Sequence, residues 1–312
     1  MNRRQFLIFT PALLSLSRAF AANPSKTEIA FTFDDPKTDD SGNLHWPEVN
    51  ERILSTLEKR KLKALLFVCG RRVDSAEGSR LLAEWNTAGH ALGNHTYSHR
   101  YFNASEGANK ITLAEFEADT LKNEPLIRDY SHFVRLFRFP FFKEGDTVEK
   151  RDGMSAFLKE HGYRSGRATI DASDWAISDR MEARIKTDAK ANLTTYRDFY
   201  LQHIWERAQF YDLLGQHVLG HSVRHTVVLH HNALNALFLD DLIAMFLERG
   251  WKPVDAEWAY ADPVYDQQPN ILPAGEGLIW ALAKENGKFE KELRYPGEDD
   301  TYETPKMDAL KL

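Results

Sequence analysis

Short apolar runs alternate with longer amphipathic segments along most of this 312-residue chain, and this alternation constrains the fold more than any other feature. A short apolar run predicts a buried strand, while apolar residues three and four apart predict a helix. Strands that alternate with helices are typical of α/β folds, in which helices cover a parallel sheet. The predicted strands are 28–33, 64–69, 90–93, 134–139, 166–170 and 226–231. The predicted helices are 47–60, 79–88, one around 113–127, 236–249, and one or two more within 176–225.

Two pairs of metal-binding residue types stand out in this pattern. Asp34 and Asp35 end the first predicted strand, where parallel α/β folds place their chemistry, although an acidic turn stopped by Pro36 is the structural alternative. His95 and His99 are four residues apart, a spacing that puts both imidazoles on one face of a helical turn. Two imidazoles and one carboxylate, with a position left for water, make a catalytic metal arrangement. We therefore expect one acid to be the third ligand and the other to be a base.

The first residues have the pattern of a twin-arginine export signal. Arg3 and Arg4 precede an apolar stretch that reaches Leu16 and is followed by Ala19 and Ala21. That stretch is far shorter than the roughly 20 residues that span a bilayer. We predict residues 1–21 to be a signal, cleaved after Ala21, with an uncleaved anchor as the alternative. The protein is then exported, periplasmic or extracellular, without stable membrane insertion.

Charge and cysteine content exclude several classes of function. The net charge is -6, and removal of residues 1–21 takes away three arginines and no acid, which leaves -9. No basic patch emerges, so nucleic acid and anionic membrane surfaces are poor candidate partners, and we expect neither. The single cysteine, Cys69, lies in an apolar run and is predicted to be a packed residue.

The composition changes near residue 262, after which the chain is rich in Pro, Gly and acidic residues. We predict a catalytic domain over residues 22–261 and a C-terminal extension over residues 262–312 that packs on it. The apolar stretch 277–284 is the expected anchor of the extension.

Five short motifs occur in order along the catalytic domain. They are Thr32-Phe33-Asp34-Asp35, His95-Thr96-Tyr97-Ser98-His99, Arg138-Phe139-Pro140-Phe141, Asp171-Ala172-Ser173-Asp174-Trp175 and Val227-Val228-Leu229-His230-His231. In number and order they resemble the motifs of the polysaccharide deacetylases, also called NodB-homology or carbohydrate esterase family 4 proteins. The resemblance implies an α/β fold, a distorted (β/α) barrel with helical insertions, with a metal-dependent site at the carboxyl ends of its strands.

The resemblance also implies a role for each matching residue. Asp34 corresponds to the general base, and Asp35, His95 and His99 correspond to the three metal ligands. Arg138 stands where the family has the residue that orients the base, which we expect it to do through a bidentate contact. Phe141 stands where the family usually has Tyr, and its backbone N–H is the implied oxyanion donor.

The remaining implied roles concern the acetyl pocket and the general acid. Trp175 and Leu229 would line the pocket for the acetyl methyl group, and Asp174 would hold the ring of the acid, with Asp171 in the same loop as the alternative. We choose His231 over His230 as the acid because it shares a strand face with Leu229. A bulge at the strand end would reverse this choice.

The sequence therefore predicts an exported hydrolase that removes N-acetyl groups from a glycan such as chitin-like chains, peptidoglycan or an exopolysaccharide. An O-acetyl glycan esterase and a catalytically silent carbohydrate-binding member of the same fold are the alternatives. One divalent ion is expected; zinc fits the ligands, as do manganese, cobalt or nickel. Pro36 and Asn232 replace a Gly and an Asp that are common in the family, which leaves the substrate open.

A second histidine series, at His217, His221 and His225, repeats every four residues. Because these histidines have no carboxylate among them and lie near Gly215 and Gly220, we predict a polar helix surface rather than a second metal site.

Overall fold

The computed structural model describes residues 26–293 and 300–312. The predicted export signal, residues 1–21, lies outside these ranges and stays a prediction. Among the helices within them, none is long and apolar enough to cross a membrane.

A parallel sheet forms the centre of the described structure. Its strands are β1 (Glu28–Asp34), β2 (Leu65–Val68), β3 (Ala91–Asn94), β4 (Phe133–Phe137), β6 (Arg164–Ser165), β7 (His225–His230) and β8 (Lys252–Pro253), while β5 (Lys143–Gly145) and β9 (Ala274–Gly275) form a separate antiparallel pair. The order across the sheet is β6-β4-β3-β2-β1-β7, and β8 pairs with β1. β1 is buried along almost its whole length, as expected for a central parallel strand covered on both faces.

The two edges of the sheet are joined by the chain segment 164–170. At its start, the N–H of Gly166 donates to the carbonyl of Phe137 in β4 at 2.7 Å. At its end, the N–H of Ile170 donates to the carbonyl of Thr226 in β7 at 2.9 Å. The predicted strand 166–170 is therefore wrong in its bounds, because this segment leaves one edge strand and reaches the other instead of pairing along its length. The result is the predicted α/β fold with a curled, barrel-like sheet.

Helices cover the outside of the sheet. They are α1 (Trp46–Arg60), α2 (Ala76–Thr87), α3 (Leu113–Asn123), α4 (Val148–Glu160), α5 (Asp174–Thr187), α6 (Thr194–Leu219), α7 (Ala233–Glu248), α8 (Ala256–Tyr260), α9 (Leu278–Asn286) and α10 (Glu303–Leu310). The helices predicted from apolar spacing are confirmed, and the segment 176–225 contains most of α5 and all of α6. α4 was not predicted, because Gly153 interrupts the apolar pattern of this segment and the buried apolar residues are confined to its second half.

The C-terminal segment packs on the body of the protein. β9 pairs with β5, and α9 lies against the long helix α6. All five residues of α9 that are buried, Leu278, Ile279, Ala281, Leu282 and Ala283, lie in the stretch expected to be the anchor.

The fold brings the predicted motifs to one end of the sheet. Asp34 and His230 are the last residues of β1 and β7, while His95 and Arg138 directly follow β3 and β4. Since these strands are parallel, their carboxyl ends lie side by side. The chemistry therefore comes from separate parts of the chain that meet at one rim.

Gly166 offers a test of the barrel closure. A Cβ on Gly166 would lie 2.6 Å from the Phe67 ring and 2.9 Å from the Phe137 carbonyl, so Gly166→Ala should lower the free energy of unfolding by about 1–3 kcal/mol. Chemical denaturation measures this. The matched control is Gly215→Ala in α6, where the nearest atom is the flexible Ile279 Cδ1 at 3.4 Å and helix propensity favours Ala. Equal stability of the two variants would contradict tight packing at the closure.

Candidate active site

The two adjacent acids at the end of β1 both face one cleft. In an extended strand their side chains would point to opposite faces, but Asp35 has a left-handed backbone with φ of 57°. This turn lets both carboxylates line a cavity of about 370 Å³. The strained backbone of Asp35 is the kind of local feature that functional sites hold in place.

His95 and His99 join the acids from the loop after β3. This loop is not the helical turn that the spacing suggested, because Thr96 and His99 have φ of 61° and 54°. The two rings nevertheless converge, with centroids 5.0 Å apart. His99 Nε2 lies 3.3 Å from Asp35 Oδ2, and one ligand atom each from Asp35, His95 and His99 lie within 4.8 Å of one another. The structure thus brings the three predicted ligands together.

Hydrogen bonding sets the tautomer of His95. Its Nδ1 donates to the backbone carbonyl of Arg138 at 2.8 Å, which leaves the Nε2 lone pair for the cluster. Such an outer hydrogen bond is typical of metal-binding histidines. The loop itself is held by Asn94, whose Oδ1 accepts from the Thr96 N–H at 2.9 Å. The sequence did not single out Asn94, because nothing in the motif shows that the side-chain amide of this strand-end residue is buried and holds the next loop.

The protonation states suit a divalent cation. Burial lowers the pKa of His95 and of His99 to about 4, so both imidazoles are neutral near pH 7. Burial alone would raise the pKa of Asp35, but the facing His99, His95 and Arg72 bring it to about 2. Two neutral imidazoles and one ionised carboxylate are the form in which these groups bind metal. The residues present therefore fit a metal ion.

Arg138 is buried and fixes the other acid, Asp34. Its Nη1 donates to Asp34 Oδ1 at 2.5 Å, while Nη2 donates to the hydroxyls of Thr32 and Tyr260 and Nε donates to the carbonyl of Gly166. The predicted bidentate contact is thus wrong, because Nη2 and Nε of the guanidinium bond groups other than the Asp34 carboxylate. Asp34 keeps Oδ2 directed to the cleft, 3.7 Å from His95 Nε2.

The choice of His231 as the cleft histidine is wrong in its geometry. His230 lines the cavity, whereas His231 lies under α1, with its Nε2 3.3 Å from Asn50 Oδ1. The reason is the register of β7, in which His230 pairs with Asp34 and therefore shares its face. Burial lowers the pKa of His231 to about 3.

Asp174 binds His230 rather than His231. Its Oδ1 accepts from His230 Nδ1 at 2.7 Å, and its Oδ2 accepts from the His230 backbone N–H at 2.9 Å. Burial by itself lowers the pKa of His230, but the charge of Asp174, with those of Asp34 and Asp35, raises it to about 9. His230 is therefore protonated near pH 7. Asp171, the alternative to Asp174, lines the same cavity.

The apolar wall of the cleft agrees with the prediction in part. Phe141 and Trp175 line the cavity, as expected. Leu229 is fully buried in the core, and Val228 takes the place that was assigned to it. The corrections of Leu229 and of His231 have one cause, because the face of β7 that lines the cleft carries Val228 and His230.

Comparison with known proteins points to one family. Residues 21–165 match the family model described as polysaccharide deacetylase. This part of the chain, a little under half of it, is similar to a polysaccharide deacetylase domain. A curated relative of this domain, the peptidoglycan-N-acetylglucosamine deacetylase of Bacillus cereus, is 25% identical over 157 residues. That match covers 50% of each protein, so the chain spans about half the length of the curated relative.

Solved structures show the same fold. A CE4 family pseudoenzyme from Bacillus anthracis has a TM-score of 0.52 at 19% identity, covering 76% of this chain and 66% of that one. A mutant of it, described as having restored enzymatic activity, has a TM-score of 0.52 at 21% identity and covers 76% and 68%. The predicted deacetylase fold is confirmed.

Arg71 and Arg72 are cleft residues that the sequence motifs do not include. Both line the cavity, and Arg72 Nε lies 3.2 Å from Asp35 Oδ1. Both residues follow β2. Because the carboxyl ends of parallel strands meet at the site, their position just after a predicted strand was the signal that could have found them.

The histidine series at 217–225 is not a helix surface, contrary to the prediction. His217 lies near the end of α6, His221 lies in the loop beyond it, and His225 begins β7. Gly220 ends α6 with a left-handed φ of 80°, which breaks the helical spacing. His225 is buried between Thr169 and Asp212.

The Asp174–His230 pair can be tested without any assay of activity. Asp174→Asn removes the carboxylate charge while keeping the size of the side chain, so the pKa of His230 should fall from about 9 to below its ordinary value of about 6.5. Titration of the His230 ring protons by NMR measures this. Asp171→Asn is the matched control in the same loop, and a larger shift from it would mean that Asp174 does not set the protonation of His230.

Proposed function

We propose that this chain hydrolyses N-acetyl groups on a glycan with one divalent metal ion. The observation that carries the proposal is the convergence, in one cleft, of a three-residue ligand cluster, a second buried carboxylate and a protonated histidine. Each of these groups has a separate task in amide hydrolysis, and together they come from the ends of β1, β3 and β7. The similarity of residues 21–165 to the polysaccharide deacetylase model supports the reaction class.

Asp35, His95 and His99 would hold the metal. Bound there, a divalent ion polarises the acetyl carbonyl and lowers the pKa of a water molecule. Zinc suits this ligand set, and manganese, cobalt and nickel suit it as well. Arg72, on the far oxygen of Asp35, keeps that carboxylate turned toward the histidines.

Asp34 is the proposed base. It takes one proton from the attacking water, through the oxygen that Arg138 leaves open to the cleft. Burial raises the pKa of Asp34 above its ordinary value in spite of Arg138, which makes it a better proton acceptor than an exposed aspartate. Arg138 acts through Asp34 as a positioning residue.

His230 replaces His231 as the proposed acid. Held protonated by Asp174, it donates its proton to the departing amine nitrogen as the carbon–nitrogen bond breaks. The backbone N–H of Phe141 is the proposed donor to the oxyanion. One water is consumed, and the products are acetate and the protonated amine. Asp34 then releases the proton that it took from water and His230 regains the proton that it gave up, both by exchange with solvent, which restores the starting state.

The substrate and location are part of the same proposal. The substrate is an acetylated glycan, and Trp175, Phe141 and Val228 would surround the acetyl methyl group. The twin-arginine pattern of residues 1–21 supports export, where a polymeric glycan is accessible. A silent glycan-binding role is disfavoured because binding alone requires neither Asp34 nor a protonated His230.

Acetate release from a panel of acetylated oligosaccharides, with and without chelator, tests the proposal. Wild type should release acetate from N-acetylated chains and lose activity with chelator. His99→Ala should lose both metal and activity, while Asp34→Asn should keep metal by elemental analysis and lose roughly 10²- to 10⁴-fold in rate. The two variants separate ligand from base.

Three outcomes would change the proposal. Metal retained at full stoichiometry in His99→Ala would remove that residue from the ligand set, and loss of metal from Asp34→Asn would make Asp34 a ligand. Acetate released only from O-acetylated chains would replace the amidase with an esterase.

The identity of the acid is tested by comparing His230→Gln with its neighbour His231→Gln. We expect His230→Gln to lose at least about 10²-fold in rate and to abolish the fall in activity above about pH 9, where the wild-type imidazole loses its proton. His231→Gln should mainly lower stability, because this ring is buried beside Asn50 and Trp85. The pH–rate profiles and denaturation curves of both variants show which of the two histidines is the acid. The reverse pattern would return the acid to His231.

A further inference from the structure

Two large aromatic side chains stand exposed beside the ligand cluster. Tyr101 is 42% exposed and Phe141 is 40% exposed, and their ring centroids are 5.7 Å apart. The Phe141 ring also contacts His99, with centroids 4.6 Å apart. Large aromatic rings left in water next to a reactive centre indicate a binding surface more than a packing defect.

The backbone that carries Phe141 is strained. Phe141 and Phe142 have φ of 56° and 52°, a left-handed conformation that bulky side chains rarely adopt. Each such residue costs about 1–3 kcal/mol, so the surrounding structure has to maintain it. The turn buries Phe142 and leaves Phe141 at the rim.

Tyr101 also lines a second cavity. It measures about 660 Å³ and is lined by polar groups of the 101–109 loop and by Asp146. The loop is tied down, since Ser105 Oγ donates to Asp146 Oδ1 at 2.7 Å and Asn103 Oδ1 accepts from the Gly145 N–H at 2.6 Å. The path from the cleft is therefore a pair of aromatic rings followed by amide, hydroxyl and carboxylate groups.

We propose that Tyr101 and Phe141 form a sugar-stacking platform, which leads a glycan chain from the metal cleft into the groove of the 101–109 loop. The occupant of the platform is the pyranose ring next to the sugar that loses its acetyl group. This inference rests on the proposed function and extends it to the neighbouring sugar.

The chemistry of the surface selects a sugar over other occupants. A pyranose presents an apolar C–H face, which matches an aromatic ring, and a rim of hydroxyl groups, which matches the polar groove. Two rings are far too small for a stable protein interface, which buries about 800 Å² on each partner. The platform also directly continues the cleft in which the acetyl group would react.

The experiment compares N-acetylglucosamine with its tetramer as substrates. In wild type, kcat/KM should be higher for the tetramer, and Tyr101→Ala should lower the tetramer-to-monomer ratio about tenfold, because the apolar contact is lost. Tyr101→Phe keeps the ring and should keep the ratio within about twofold. Leu247→Ala, at an exposed apolar side chain on α7, is the matched control and should leave the ratio unchanged.

Calorimetry with the fully deacetylated glucosamine tetramer separates the platform from the reaction. Its affinity should fall about tenfold in Tyr101→Ala. If wild type releases no acetate but this loss of affinity is seen, the platform stands and the proposed function fails. If wild type releases acetate while the ratio and the affinity are unchanged in Tyr101→Ala, or if wild type binds no tetramer, the platform is overturned.

Discussion

The ion pair between Arg138 and Asp34 is the interaction on which the rest of the site depends. The guanidinium of Arg138 also donates hydrogen bonds to Thr32 of β1, to Tyr260 of α8 and to the carbonyl of Gly166 in the segment 164–170. The backbone carbonyl of Arg138 sets the tautomer of His95. Breaking a buried pair leaves an uncompensated charge and typically costs 3–5 kcal/mol, so this contact stabilises both the barrel closure and the geometry of the cleft.

Four histidines near this rim differ in protonation because their surroundings differ. For His95 and His99 the effect of burial outweighs the charge of the nearby Asp35, so both rings are neutral, which suits metal ligands. His230 faces Asp174 and is protonated, which suits an acid. His231, one residue away, lies on the opposite face beside Trp85 and Asn50 and is neutral. Position relative to a buried carboxylate decides the role of each ring.

Most of the architecture could be predicted from local patterns. The strand ending at Asp34, the helices α1 and α7 and the long helical insertion follow from apolar spacing, because burial on one face requires that spacing. α4 and the closing segment 164–170 could not be predicted. The first has weak periodicity, and the second is shaped by two edge strands that are distant in sequence.

The sequence by itself determined which chemistry is available. Adjacent acids at a strand end, two histidines four residues apart and an arginine after a later strand indicated a metal-dependent site. Only the tertiary structure decided which residues of the last motif strand face the cleft. The pairing of Asp34 with His230 across β1 and β7 selects His230 and Val228 over His231 and Leu229. Side chains alternate along a strand, so a difference of one residue in register exchanges the two faces, and that register is set by contacts between distant strands.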